Sequence, residues 1–197
     1  MIVEQREDPW QVVLSSIDSV ESLERKWTAL ERRSTCSFFQ SWGWIGTWLA
    51  CLPASRRPQV LEVLFDGTVV GLALLGKSEI RRHGFISSNA LFVTETGDSD
   101  FDCLTVEHNG FLVDDSISTE VLRQGISWLA GGPFAWDELF VSAVTKRNVA
   151  AYVNSAEEAR LHAQIALSKP YYYVDCDKIR STGGDYIATL RDRKSVV

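Results

Sequence analysis

Glu107-His108-Asn109-Gly110 sets a carboxylate, an imidazole and an amide side by side in this 197-residue chain. Glu107 or His108 could act as general base toward an amine nucleophile, because either group can be tuned toward neutral pH. The stretch is expected at a strand end, where functional side chains often project. Asn109 could fix a substrate or the turn itself. Asn-Gly is a turn signal in its own right, and on that competing reading Glu107 and His108 are surface groups. Asp98, Asp100 and Asp102 form an acidic loop. A calcium loop needs further ligands at fixed spacing and a glycine at its sharp turn. Without them, the loop reads as a solvated turn. Cys36, Cys51, Cys103 and Cys176 form no CxxC pair, and His83, His108 and His162 are far apart in sequence. The cysteines are expected to be small buried hydrophobes, with no metal site.

A second kind of chemistry belongs to the aromatic residues. Phe38, Phe39, Trp42, Trp44 and Trp48 fall within eleven residues. Positions 38, 42, 45, 48 and 49 follow the three- and four-residue spacing of one apolar helix face, and Trp44 lies off it. Such a helix is either core or, with bulky rings on two sides, the wall of a groove. Tyr171-Tyr172-Tyr173 could line a groove for a sugar or peptide, or could alternate across a strand.

These residues must be carried by a soluble framework. Hydrophobic residues make up 45% and charged residues 23%, an ordinary globular balance. The net charge of −6 and the lack of long basic runs argue against a nucleic-acid binder. A local basic pocket for one phosphorylated ligand is still allowed. No apolar run reaches the roughly 20 residues of a membrane span. The acidic start lacks the basic and apolar blocks of a signal peptide, so a cytoplasmic protein is expected.

The patterning predicts a strand at Trp10 to Leu14, then an amphipathic helix capped by Ser19 with Val20, Leu23, Trp27 and Leu30 inward. The aromatic helix follows, over 39–52. Apolar strands flank Asp66-Gly67, a two-residue hairpin signal. The second of them is apolar enough to be buried on both faces. Short strands are expected at 84–88, 90–94 and 103–106, a helix at 119–129 and a strand at 138–144. An Asn148-capped helix should follow to 159, then an extended stretch to 174. This order predicts an α/β (α+β) fold, a mainly antiparallel mixed sheet with helices on its faces.

Several marks recur in one order. They are Phe39-Gln40-Ser41 with Trp44 and Trp48, the Asp66-Gly67 hairpin, and Thr96-Gly97-Asp98 with Asp102. Glu107-His108-Asn109-Gly110, Trp136-Asp137-Glu138-Leu139, Pro170-Tyr171 and Gly184-Asp185-Tyr186-Ile187 complete them. The set resembles the first half of a tandem GNAT acyltransferase, most like the acetyltransferases of cellulose or exopolysaccharide synthesis, which are relatives of the Fem-type aminoacyl transferases. The resemblance implies a GNAT-like domain over 1–180, with 181–197 the start of an interdomain segment that is cut short. It implies transfer of an acyl group from acetyl-CoA or another acyl-CoA to an amine or hydroxyl of an envelope or exopolysaccharide precursor. A small-molecule, sugar or peptide-precursor acceptor would meet Asp102, Asn109, Trp44 and Tyr171.

In such proteins a second GNAT domain holds the CoA through a Gln/Arg-x-x-Gly-x-Gly/Ala loop, whose amides take the pyrophosphate at a helix start. The windows beginning at Gln40, Arg81 and Arg180 each fail at the sixth position. No CoA is therefore expected on this chain alone, and the missing second domain is the implied partner. The alternative is a non-catalytic binding module or an inactive fragment.

Overall fold

Asp66 and Gly67 both lie in the left-handed region, at φ 46° and 72°, the geometry of a two-residue hairpin whose twist matches its strands. The computed structural model describes residues 8–102, 106–132, 134–170, 174–181 and 183. The chain divides into two compact units, residues 1–163 and 164–197.

The first unit holds a mixed sheet of β1 (Trp10–Ser15), β2 (Gln59–Phe65), β3 (Thr68–Arg82), β4 (Ile86–Val93), β5 (Leu112–Val113) and β6 (Glu138–Phe140). The order is β1-β2-β3-β4-β6, with β5 beside β3. β1 to β4 pair antiparallel, while β4 and β6 are parallel, with Phe92 opposite Phe140. Parallel neighbours need a crossover, and α3 (Ser118–Gly131) lies on that path. The expected α/β class and mainly antiparallel sheet are observed.

Helices cover both faces. On one, Leu23, Trp27 and Leu30 of α1 (Val20–Glu31) and Ile45 and Leu49 of α2 (Trp42–Cys51) pack on Leu72 and Leu74. On the other, Leu122 and Leu129 of α3 and the partly buried Tyr152 of α4 (Lys146–Glu158) meet Ala73, Leu75, Leu91 and Val93. The two-residue period of β3 divides its side chains between these layers. Residues 70–76 are accordingly buried without a break. Ser19 caps α1, its hydroxyl accepting the Ser22 N–H at 3.1 Å.

Several expectations are corrected. The aromatic segment is a 3-10 turn, Phe38–Gln40, followed by α2. Ser41 is extended between them (ψ 153°), so Phe38 falls out of helical phase with Trp42 and is 68% exposed. Trp42, Trp44 and Trp48 are half-buried. One strand, β4, replaces the two expected before Thr94. β6 stops at Phe140, and α4 begins one turn early with Thr145 as its cap. Cys36 is half-buried, and Cys51 and Cys176 are exposed. Cys103 to Thr105, Tyr171 to Tyr173 and residues 184–197 lie outside the described residues. In the second unit, residues 164–170 are irregular and α5 spans Cys176–Ser181.

Candidate active site

The parallel strands β4 and β6 end together at one end of the sheet. Outside such carboxyl ends, where neighbouring chains depart in different directions, open α/β sheets bind their ligands. β4 ends at Val93, and the next residue, Thr94, is 3% exposed and held at φ 54°, an outlying conformation for a β-branched residue. Its N–H still donates to Leu74 O at 2.7 Å. The described residues between 94 and 111 lie outside the sheet, and β5 resumes opposite Gly71 and Leu72 of β3. The excursion lies directly on β3 at Gly76. A Cβ there would stand 2.0 Å from Glu95 O and 2.8 Å from Thr96 Cα.

Asp102 is not the solvated turn residue that its acidic neighbourhood suggests. Its carboxylate accepts the N–H groups of Thr96 at 2.8 Å, Gly97 at 2.7 Å and Asp98 at 3.1 Å, and the Thr96 hydroxyl at 2.9 Å. Successive amides of this kind form an anion-binding concavity, here filled by the chain's own carboxylate. Two helix starts are handled likewise. The Trp42 N–H that opens α2 donates to Glu31 Oε2 at 3.0 Å. The turn entering α3 carries Asp114, whose carboxyl is held below its ordinary pKa by the Ser116 hydroxyl first, with the Ser116 amide and Arg33 adding to this. The Arg81 window forms the tip between β3 and β4, with no helix after it. The Arg180 window extends beyond the described residues.

Asn109 is 2% exposed. Its Nδ2 donates to Val93 O at 2.6 Å, its N–H to Ala143 O at 3.2 Å, and its Oδ1 accepts the Gly110 N–H at 2.7 Å. It ties the end of β4 to the segment after β6. The Tyr152 hydroxyl accepts the Phe111 N–H at 2.7 Å, and burial raises the phenol's pKa strongly. From the other layer, Gln40 Nε2 donates to Gly110 O at 3.3 Å and Phe111 O at 3.4 Å. The Ser37 hydroxyl donates to His108 O at 3.4 Å. Trp27 Nε1 holds Gln40 O at 2.8 Å.

Glu107 sits exposed in a turn, and His108 is half-buried at φ 56°. Trp44 packs edge-on against Phe38 and Phe39, with ring centroids 5.6 and 4.9 Å away. Its Nε1 is buried with no hydrogen-bond partner among the described residues. Tyr171 lies outside them. Hydrogen bonds thus join Gln40, His108 and Asn109 in one cluster, and Asp102 serves the neighbouring loop.

Glu95 is the group that sequence reasoning passes over. It follows strained Thr94 and is half-buried. Its carboxyl pKa is raised above 4.5, chiefly by burial and further by the charge of Asp102, with the Ser142 hydroxyl pulling the other way. Ser142 stands just past β6. Its Oγ is close enough to favour the charged carboxylate, yet it completes no hydrogen bond of ordinary geometry, and neither does the buried Thr145 Oγ1. A carboxyl whose pKa is raised by burial, beside the Ser142 hydroxyl, is a candidate for general-base work. The only sequence signal was its place one residue beyond the expected strand end at 94. Its value depends on β6 lying alongside.

Among the described residues no cluster of His, Cys, Asp or Glu could hold a metal ion, and no helix is long and apolar enough to cross a membrane.

No protein-family model and no curated protein matches the sequence. Three solved structures are similar at a distance. One is aminoglycoside N-acetyltransferase AAC(6')-Iy in complex with CoA, at 12% identity and TM-score 0.46, covering 88% of this chain and all of that one (100%). The aminoglycoside acetyltransferase meta-AAC0020, from an uncultured soil metagenomic sample, matches in its sisomicin complex at 12% identity and TM-score 0.42, covering 85% and 97% of the two chains. Its trehalose complex matches at 11% and 0.43, covering 86% and 99%.

Proposed function

We propose that this chain is the acceptor-side domain of a GNAT-type acyltransferase. In this reading it presents an amine or hydroxyl of a small molecule, sugar or peptide precursor to an acyl-CoA held by a second domain. The observation that carries the reading is convergence. Gln40 and Gly110, two marks of the resemblance 70 residues apart, bond one another. Asn109 anchors that junction to β4, and the excursion bearing Thr96, Gly97, Asp98 and Asp102 leaves from the same strand end. Glu95 would take the proton from the acceptor, and the Ser142 hydroxyl would position it. Holding acceptor and thioester in line supplies much of the rate in such transfers. His108 and Trp44 would border the acceptor, while Asn109 and Asp102 act on the backbone that shapes the site.

The division of labour follows from electrostatics. Asp102 in the amide concavity, Glu31 at α2 and Asp114 before α3 occupy places where a pyrophosphate would otherwise find N–H donors. The test is calorimetry with acetyl-CoA and with a panel of amino sugars and short peptides. The chain is expected to bind an acceptor and to lose that binding, or shift its pH dependence, on Glu95→Gln, while acetyl-CoA gives no saturable heat. Saturable acetyl-CoA binding that inorganic phosphate does not displace would overturn the division of labour. Acceptor binding with the same pH profile in Glu95→Gln would favour the non-catalytic module.

A further inference from the structure

β2 begins at Gln59, opposite Leu75 of β3, whereas β3 runs on to Arg82 with β4 as its partner. From Gly76 onward the outer edge of β3 therefore has no strand of β2 beside it. The chain reaches β2 through a 3-10 turn, Ala54–Arg56, and then Arg57 and Pro58. This route closes the step in the sheet into a cleft of about 170 Å³, lined among others by Ser55, Arg56, Arg57, Gln59, Lys77 and Thr96.

The chemistry of this lining runs against the rest of the molecule. A chain of net charge −6 brings three cations to one concave surface, and no carboxylate lines it. Arg56 is spoken for by Asp98, at 2.8 Å. Arg57 and Lys77 have no ion pair among the described residues, and both are exposed. Asp98 offsets only Arg56, so Arg57 and Lys77 leave the lining with a positive excess that an entering anion would neutralise. The two groups complement each other: a guanidinium offers a planar fork to two phosphate oxygens, and an ammonium adds a point charge. The Ser55 hydroxyl and Gln59 amide supply neutral donors at the rim.

We propose that this cleft binds a phosphate group, either free phosphate or the monoester of a small molecule, through Arg57 and Lys77 with Arg56 as a third contact. It is separate from the concavity filled by Asp102, although Thr96 belongs to both walls. It also stands apart from the acyl-transfer reading, because phosphate binding is measured without acyl donor or acceptor.

The test titrates the full chain with inorganic phosphate and with glucose 1-phosphate in a calorimeter, against sodium chloride at equal ionic strength. Both phosphates should give saturable binding that chloride does not. Arg57→Ala/Lys77→Ala should weaken it by at least about tenfold, as expected for losing charged hydrogen bonds. Arg57→Gln/Lys77→Gln, which keeps the side-chain length, serves if the alanine pair fails to fold. Arg25→Ala/Arg147→Ala, which removes exposed cations elsewhere, should leave the affinity unchanged. Tighter binding of the ester identifies a phosphorylated metabolite as the ligand, and equal binding identifies free phosphate. Phosphate indistinguishable from chloride, or equal affinity in the double variant, overturns the proposal.

Discussion

Asn109 shows how one amide can decide the shape of a site. Both of its side-chain hydrogen bonds are buried, and they join β4 to the turn that precedes β5. Asn109→Ala leaves Val93 O and the Gly110 N–H unpaired, a loss of about 2 kcal/mol. An unchanged denaturant midpoint would contradict that role. Glu95 works in the opposite direction, because its burial is uncomfortable. Its raised pKa means that the folded protein keeps a proton the unfolded chain has released. The associated stability is fully present below 4.5 and is lost as pH rises through the higher folded value. Glu95→Gln should flatten that part of the pH dependence and stabilise the protein above it. Denaturant midpoints taken from about pH 4 to 8 read this directly, and parallel curves for parent and variant would exclude it.

At the scale of elements, the site depends on two packing events. The first is the dock of the 94–97 loop on β3. Gly76→Ala would drive a Cβ into the Glu95 carbonyl, and backbone cannot swing aside as a side chain can. A loss of about 3 kcal/mol or more is expected from such overpacking, together with loss of any acceptor binding. A Gly76→Ala protein as stable as its parent would show that the loop does not need this contact. The second event is the seating of α1 and the 3-10 turn. Trp27 is buried and holds Gln40 O through its indole N–H, while Trp48 is only half-buried. Trp27→Ala should therefore cost about 3–5 kcal/mol by leaving a cavity, and Trp48→Ala clearly less. Comparable losses in urea titrations would contradict the difference in burial.

At the scale of the whole molecule, the chain combines a first unit built on one sheet with a second unit whose opening stretch is irregular. Ile165 and Leu167 are exposed at 63% and 69% in a segment without secondary structure. Thermolysin cuts on the amino side of such residues, and exposed irregular backbone is where proteases act first. Limited digestion should therefore yield a core ending between 164 and 166, identified by its mass, that unfolds at the temperature of the parent. First cleavage inside β2 or β3 would show that the sheet is less stable than its burial implies.

Much of this architecture was written locally in the sequence. Asp66-Gly67 could make only one kind of turn, Ser19 could cap only what followed it, and the apolar run of β3 demanded cover on both faces. Those features depend on neighbours a few residues away. The site could not be read in the same manner. Asp102 looks like a surface acid until the Thr96 to Asp98 amides are folded onto it. Asn109-Gly110 looks like any turn until Val93 and Ala143 are found on either side. Glu95 had no visible partner, because Ser142 is 47 positions away by sequence number and reaches it only through the parallel pairing of β4 with β6. Hydrophobic periodicity records which face of an element is buried. It does not record which strand end faces which, and that pairing sets the burial and the counter-charges that turn an ordinary carboxyl or arginine into a functional group.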